Sequence, residues 1–176
     1  MPVHCTAPRG FTLLEVVVSI GLLILVFGGV TSLAILSSEA ERSSKNNLIA
    51  AYLAKEAQDL VRYKRDLNYI LDPAQPFADI ATATEGAVFY FKINYDGTIT
   101  STADSDVKNA AVLDSLNNFY AQDSGVDTVF RRLVTTTYHD PTDDYPARID
   151  VLVQVYWKED TRQNTYALSS ELTDWR

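Results

Sequence analysis

Cysteine is almost missing: Cys5 is the only one in 176 residues, so no intrachain disulfide can staple the fold and no cysteine-based metal site can form. Histidine is as scarce, with only His4 and His139. His139 stands beside Asp140, but no nucleophile and third orienting group accompany the pair at any telling spacing, and it reads as a solvated turn. There is no glycine-rich phosphate loop and no zinc-ligand spacing. The stretches Asp104-Ser105-Asp106 and Asp140-Pro141-Thr142-Asp143-Asp144 could offer oxygens to calcium, yet neither has a loop spacing suited to six to eight ligands. Solvated turns are the expectation, with no metal, no cofactor and no enzymatic activity. Basic residues are in deficit, 15 Lys and Arg against 23 acids for a net charge of −8. Affinity for a phosphate backbone comes from cations that release counterions, so no specific nucleic-acid partner is indicated. Finally, neither Pro nor Gly occurs between Val30 and Leu71, and nothing there interrupts a helix.

What the chain does have is an uncharged run from Val16 to Ser38. As a helix it extends roughly 34 Å, enough for a hydrocarbon core of about 30 Å. Glu15 sits at its head, although a charge near the bilayer centre costs on the order of 2.5–3.5 kcal/mol. Residues 1–9 precede it with Arg9 and no apolar core of their own, so they cannot be the hydrophobic part of a secretory signal. Three readings compete. A signal peptide cut after Ala40 would release a soluble domain, but the apolar run is too long for that class. A plain single-pass anchor leaves Glu15 without a purpose. A lipoprotein at Cys5 fails because no apolar stretch comes before it.

The short basic leader ending at Gly10, then Phe11, then an apolar segment with Glu15 at its fifth position resembles the signature of type IV pilins and type II secretion pseudopilins. The resemblance implies that a prepilin peptidase cuts the Gly10–Phe11 bond and methylates the new terminus at Phe11. It implies that Glu15 is the assembly carboxylate. The implied partners are other pilin or pseudopilin subunits, the peptidase, an inner-membrane assembly platform and the cytoplasmic membrane. The protein would cross that membrane once, head outside, before entering an extracellular or periplasmic filament. Cleavage would remove Cys5 and Arg9 with no acid, leaving a chain without a thiol and one unit more negative. Many pilins close a C-terminal loop with a disulfide, and this chain departs from that. Gly28 and Gly29 mark the weakest point of the helix, each costing about 1 kcal/mol relative to Ala; close packing through small residues is the competing reading. Family members often melt near a Pro slightly further along, where this chain has Ser32.

The fold expected is α+β: a long N-terminal helix, half membrane-spanning and half amphipathic, packed on an antiparallel sheet. Its divisions are residues 1–10 (leader), 11–38 (transmembrane and assembly helix), 39–71 (amphipathic half) and 72–176 (head). Ile49, Leu53, Ala57, Leu60, Lys64 and Leu67 recur at three- and four-residue steps, with Leu48, Tyr52 and Val61 alongside, so the helix continues to about Tyr69; sustained heptads for a coiled coil are lacking. Asp72-Pro73 and Pro76 end it. Ala87–Tyr95 and Thr98–Thr100 form a hairpin with a type I′ signal at Asp96-Gly97. Residues 101–127 read as polar and irregular, with a short helix over Ala110–Tyr120. Thr128–Tyr138 is a strand. Ile149, Val151, Val153, Val155 and Trp157 alternate with polar neighbours, and Tyr166, Leu168, Ser170 and Leu172 repeat the pattern to Trp175. Three strands on the helix are the minimum core. Leu53-Ala-Lys-Glu-Ala-Gln-Asp-Leu-Val-Arg62 and Val151–Trp175 also resemble V-type minor pilins and I-type minor pseudopilins. The function expected is therefore a minor pilin. The alternatives are a minor pseudopilin of a secretion or DNA-uptake system and, in a different class, a membrane-anchored adhesin or binding module that never polymerises.

Overall fold

The computed structural model describes residues 10–110, 112–116, 119–122 and 125–174. The leader before Gly10 and the proposed strand end at Trp175 lie outside them. The chain divides into two compact units, Met1–Lys45 and Asn46–Arg176. One helix, α1 (Leu13–Leu71, 59 residues), contributes to both, as expected where no Pro or Gly intervenes after Gly29.

In the first unit the described side chains from Gly10 to Arg42 are exposed all round the helix. Between Val16 and Ser38 none is charged. Such a helix has no polar face to offer water, so it needs lipid or other apolar surface around it. Among the described residues it is one helix long and apolar enough to cross a membrane. Two hydroxyls inside the run bond back to the helix itself: Ser19 donates to the Glu15 carbonyl at 2.7 Å and Thr31 to that of Phe27 at 2.8 Å. The helix continues unbroken through Gly28 and Gly29.

In the second unit α1 lays the stripe Ala50, Leu53, Ala54, Ala57 and Val61 on an antiparallel sheet, so the fold is α+β. The stripe is mostly alanine, which lets the helix axis come close to the strands. Leu60 is half-buried against the same core, whereas Leu48 and Tyr52 point to solvent, contrary to their expected place alongside. The Ala residues at steps of three and four fill the face that larger apolar side chains were expected to occupy.

Among the described residues the sheet has seven strands, well beyond the minimum of three: β1 (Val88–Ile93), β2 (Ile99–Thr102), β3 (Val112–Leu116), β4 (Phe119–Ala121), β5 (Val126–His139), β6 (Arg148–Glu159) and β7 (Arg162–Thr173). The fourteen-residue β5 is the hub. Along one edge it pairs with β3 through its first half and β1 through its second, and along the other it pairs with β6, which pairs with β7. The alternating residues Ile149, Val151, Val153, Val155 and Trp157 all face the core, and Leu172 of β7 joins them with Tyr166 and Leu168 half-buried.

Two local expectations need correction. The short helix over Ala110–Tyr120 is instead the β3–β4 hairpin, because the long β5 presents main-chain donors and acceptors along residues 126–131 that only a strand can pair. The Asp96-Gly97 turn is not type I′, which would require positive φ at both residues. Only Gly97 has it, at 80°. Gly97 N donates to the Asn94 carbonyl at 2.9 Å and Asn94 N to that of Thr98 at 3.0 Å. That is a three-residue loop, a type I turn closed by a left-handed glycine bulge.

A buried polar thread ties these elements together. Arg132, with no accessible surface, donates to the carbonyls of Leu53 (3.1 Å) and Ile93 (2.6 Å), with Glu56 3.7 Å away. Burial pulls its guanidinium pKa down, and Glu56 opposes this. Gln122 bridges the gap between β1 and β4: it accepts from Ile93 N, donates to the Arg132 carbonyl, and its own N–H meets the Asn94 side chain. Asn46 and Trp157 both donate to Glu159, and Arg65 donates to the Thr173 carbonyl, so the part of the helix within this unit is fastened to the sheet near both its ends.

Candidate functional site

The residues singled out for processing and assembly lie at the start of α1. Gly10 and Phe11 precede the helix and are exposed, so the Gly10–Phe11 bond lies in exposed chain outside any regular element. Nothing lies within 4 Å of a Cβ built on Gly10, and a larger residue there would meet no steric obstacle within the chain. Any requirement for glycine would therefore come from the enzyme that reads it.

Glu15 occupies the third helical position. Its N–H donates to the Thr12 hydroxyl at 3.3 Å, and Val16 N reaches the Thr12 carbonyl at 3.3 Å. Thr12 is thus the N-cap, its hydroxyl accepting the Glu15 amide, a donor that the helix itself cannot satisfy; Thr12-Leu13-Leu14-Glu15 has the sequence form of a capping box. A carboxylate in the first turn also suits the positive end of the helix dipole. This second purpose for Glu15, overlooked in the sequence, was visible there as Thr three residues before Glu. It means that a monomeric anchor also has a use for the residue. Gly28 and Gly29 stand in ordinary helix with open space around them, and the chain by itself shows neither melting nor close packing at that point.

In the second unit, His139 is not a free turn residue. It ends β5, with Nδ1 3.2 Å from Glu85 and Nε2 3.0 Å from Asp150 of β6. Asp140, its sequence neighbour, instead gives its N–H to Glu85. The hydrogen bond to Asp150 and then that to Glu85 hold the imidazole pKa above its usual range. The Asp140 amide, followed by His139, lowers that of Glu85. This clamp joins the loop after α1 to the sheet. Asp104 and Asp106 accept backbone N–H groups two residues on, from Asp106 and Lys108, which makes their stretch a succession of side-chain-capped turns. Among the described residues no group of three or more His, Cys, Asp or Glu could hold a metal ion.

Comparison with protein-family profiles, with characterised proteins and with solved structures finds no match for this chain.

Proposed function

We propose that this chain is a minor pilin, a non-enzymatic subunit cut after Gly10, held in the cytoplasmic membrane by the first half of α1 and drawn from there into a type IV pilus-like filament. The observation that carries the reading is the place of Glu15: a carboxylate in the first turn of a helix whose following turns are apolar and exposed on every side. The continuous helix whose second half packs on an antiparallel head supports the reading, because that arrangement is compatible with a pilin-like fold. A cut at Gly10 would make Phe11 an amine, positively charged at neutral pH, one helical turn from Glu15. Paired with a neighbour's Glu15 at about 4 Å, it gains roughly 4 kcal/mol at an effective dielectric near 20. That is comparable to the insertion cost of the lone carboxylate. A subunit out of register would leave both charges unpaired.

The capping geometry at Thr12 favours a second reading, a membrane-anchored binding module that never polymerises and keeps Glu15 to start its helix. Substitution by Gln separates the two, since Gln also completes a capping box but carries no charge. If Glu15 pairs between subunits, E15Q should insert and be cleaved like the wild type yet enter filaments on the order of a thousandfold less readily, the equivalent of about 4 kcal/mol. If Glu15 only caps, E15Q should behave as the wild type in every assay. A minor pseudopilin of a secretion or DNA-uptake system would give the same result as a pilin here. Genes nearby that encode pilus or secretion components would decide between them.

A further inference from the structure

The second unit has a polar hollow of about 490 Å³ where α1 and the loop that follows it meet the β1–β2 hairpin. That volume falls within the range of roughly 300–1,000 Å³ typical of small-ligand sites. Its lining is Lys64 from α1, Asp79 from the loop, Phe89 from β1, and Thr98, Ile99 and Ser101 from the hairpin turn and β2. The frame under these side chains is held on each side. Asp79 takes a left-handed φ of 64°, and its two neighbours are pinned: Asn68 donates to the Ala78 carbonyl at 2.6 Å and Thr136 to that of Ile80 at 2.5 Å. The exposed carboxylate thus springs from a fixed turn. The Lys64 stem lies against the glycine of the hairpin turn, its Cε 3.5 Å from where a Cβ on Gly97 would stand. Phe89 and Ile99 are half-buried against the core, and each keeps apolar surface toward the hollow.

The hydrogen-bonding capacity of the lining is largely unused. Lys64 and Asp79 share one hollow, yet among the described residues neither forms an ion pair or a side-chain hydrogen bond, and the Ser101 hydroxyl has no partner there either. Asp96, outside the lining, is engaged by the Thr98 amide at 2.8 Å and the Thr98 hydroxyl, with the Lys64 charge a weaker influence on it. A cation and an anion in one lining oppose a net charge of either sign on a ligand, because whatever one attracts the other repels. What suits both is a neutral molecule whose hydroxyls donate to the carboxylate and accept from the ammonium. We propose that this hollow is a binding site for a neutral polyhydroxylated ring, a saccharide unit, whether free or within a longer glycan. Its hydroxyls meet Asp79, Lys64 and Ser101, and its C–H face lies on Phe89 and Ile99. The site stands independently of the filament reading.

The test uses the full chain in lipid nanodiscs with 13C-methyl isoleucine, which places a reporter at Ile99. The probes are the methyl glycosides of glucose, galactose and mannose, a trisaccharide of whichever sugar binds, cyclohexanol as a ring with a single hydroxyl, and zwitterionic phenylalanine. At least one glycoside should shift the Ile99 methyl and bind about tenfold or more tightly than cyclohexanol, since its further hydroxyls reach charged partners. D79G removes the carboxylate at a position whose φ suits glycine, and K64M keeps the stem but drops the ammonium. Each variant should stay folded and bind the glycoside about tenfold less tightly. A trisaccharide that binds more tightly than its single unit assigns the site to a glycan chain, and equal binding assigns it to a free sugar; both support the site. Failure of all three glycosides to shift the Ile99 methyl, cyclohexanol binding equal to theirs, phenylalanine binding tighter than theirs, or undiminished binding by either folded variant would overturn the proposal.

Discussion

Leu53 is 2% exposed and sits within the helix stripe, flanked by Ala50, Ala54 and Ala57. Truncating it to Ala removes the largest side chain that the stripe's first two turns contribute to the core. The alanines beside it have no atoms beyond Cβ with which to refill the space, and the opposing valines of β6 are stiff at χ1. The cavity should therefore persist, placing L53A in the upper part of the usual Leu→Ala range, at about 3–5 kcal/mol. For a unit of this size that corresponds to a fall of roughly 10–15 °C in Tm. The Leu53 carbonyl still receives Arg132 in the variant, so the loss reports packing alone. Half-buried Leu60 should cost about half as much on truncation, and Tyr52, 65% exposed, less than about 0.5 kcal/mol. Thermal and guanidinium unfolding of the full chain in detergent, followed by the strand signal in circular dichroism, would rank the three. Finding L53A within about 0.5 kcal/mol of Y52A would refute the assignment of the buried face.

R132A should destabilise by about 3 kcal/mol or more, since it leaves a cavity and strips two buried carbonyls of a charged donor; R132K, which can reach only one of them, should fall between, and a neutral R132A in chemical denaturation would mean that the thread contributes nothing. His139 has a raised folded pKa, so its contribution is complete below its ordinary value near 6.5 and fades as pH rises through the raised value. Glu85, with a lowered pKa, contributes above its ordinary value and loses that contribution as pH falls. Melting temperature should thus decline as pH rises above about 6.5 in the wild type and flatten there in H139N; an unchanged slope in H139N would assign the titration elsewhere. G97A should cost about 1 kcal/mol because Ala resists the left-handed φ, and a melting temperature equal to the wild type's would contradict the bulge geometry. Reductant should leave the head's melting temperature unmoved, as the chain's sole cysteine is Cys5 and no disulfide can form within one chain.

The parts of the fold that could be read in advance are those where periodicity acts over many residues. Residues 149–157 alternate so regularly that strand and buried face follow together, and the absence of breakers after Gly29 dictates the long helix. The β3–β4 hairpin was illegible because its few residues have no dominant period; what makes them strands is the unpaired edge of β5, a fact of tertiary pairing. The expected face of α1 holds at Leu53, Ala57, Leu60 and Val61, and its departures have a related reason. Ala is weakly apolar on any scale, and only proximity to the sheet shows that Ala50 and Ala54 are inside while Leu48 and Tyr52 are not. Arg132 and Gln122 look like surface residues by type, and their carbonyl partners are distant in sequence. At the N terminus the contribution of Thr12 to the turn of Glu15 is written in the sequence as Thr three residues before Glu, and the geometry at the Glu15 amide draws attention to it.

The stripe Ala50–Val61 is made early and its partners on β6 and β7 late, which bears on biosynthesis. Roughly ninety residues separate Val61 from Val151, and at about 5–20 residues per second a ribosome takes on the order of 5–20 s to supply them. Throughout that interval the helix is complete but the part of its covering surface that β6 and β7 supply does not exist. The C-terminal hairpin β6–β7 can form from neighbours in sequence, whereas the core cannot close until almost the last residue has emerged. A chain stopped before β6 would therefore expose an apolar stripe in addition to the apolar run before it, a substrate for quality control rather than a shorter working protein.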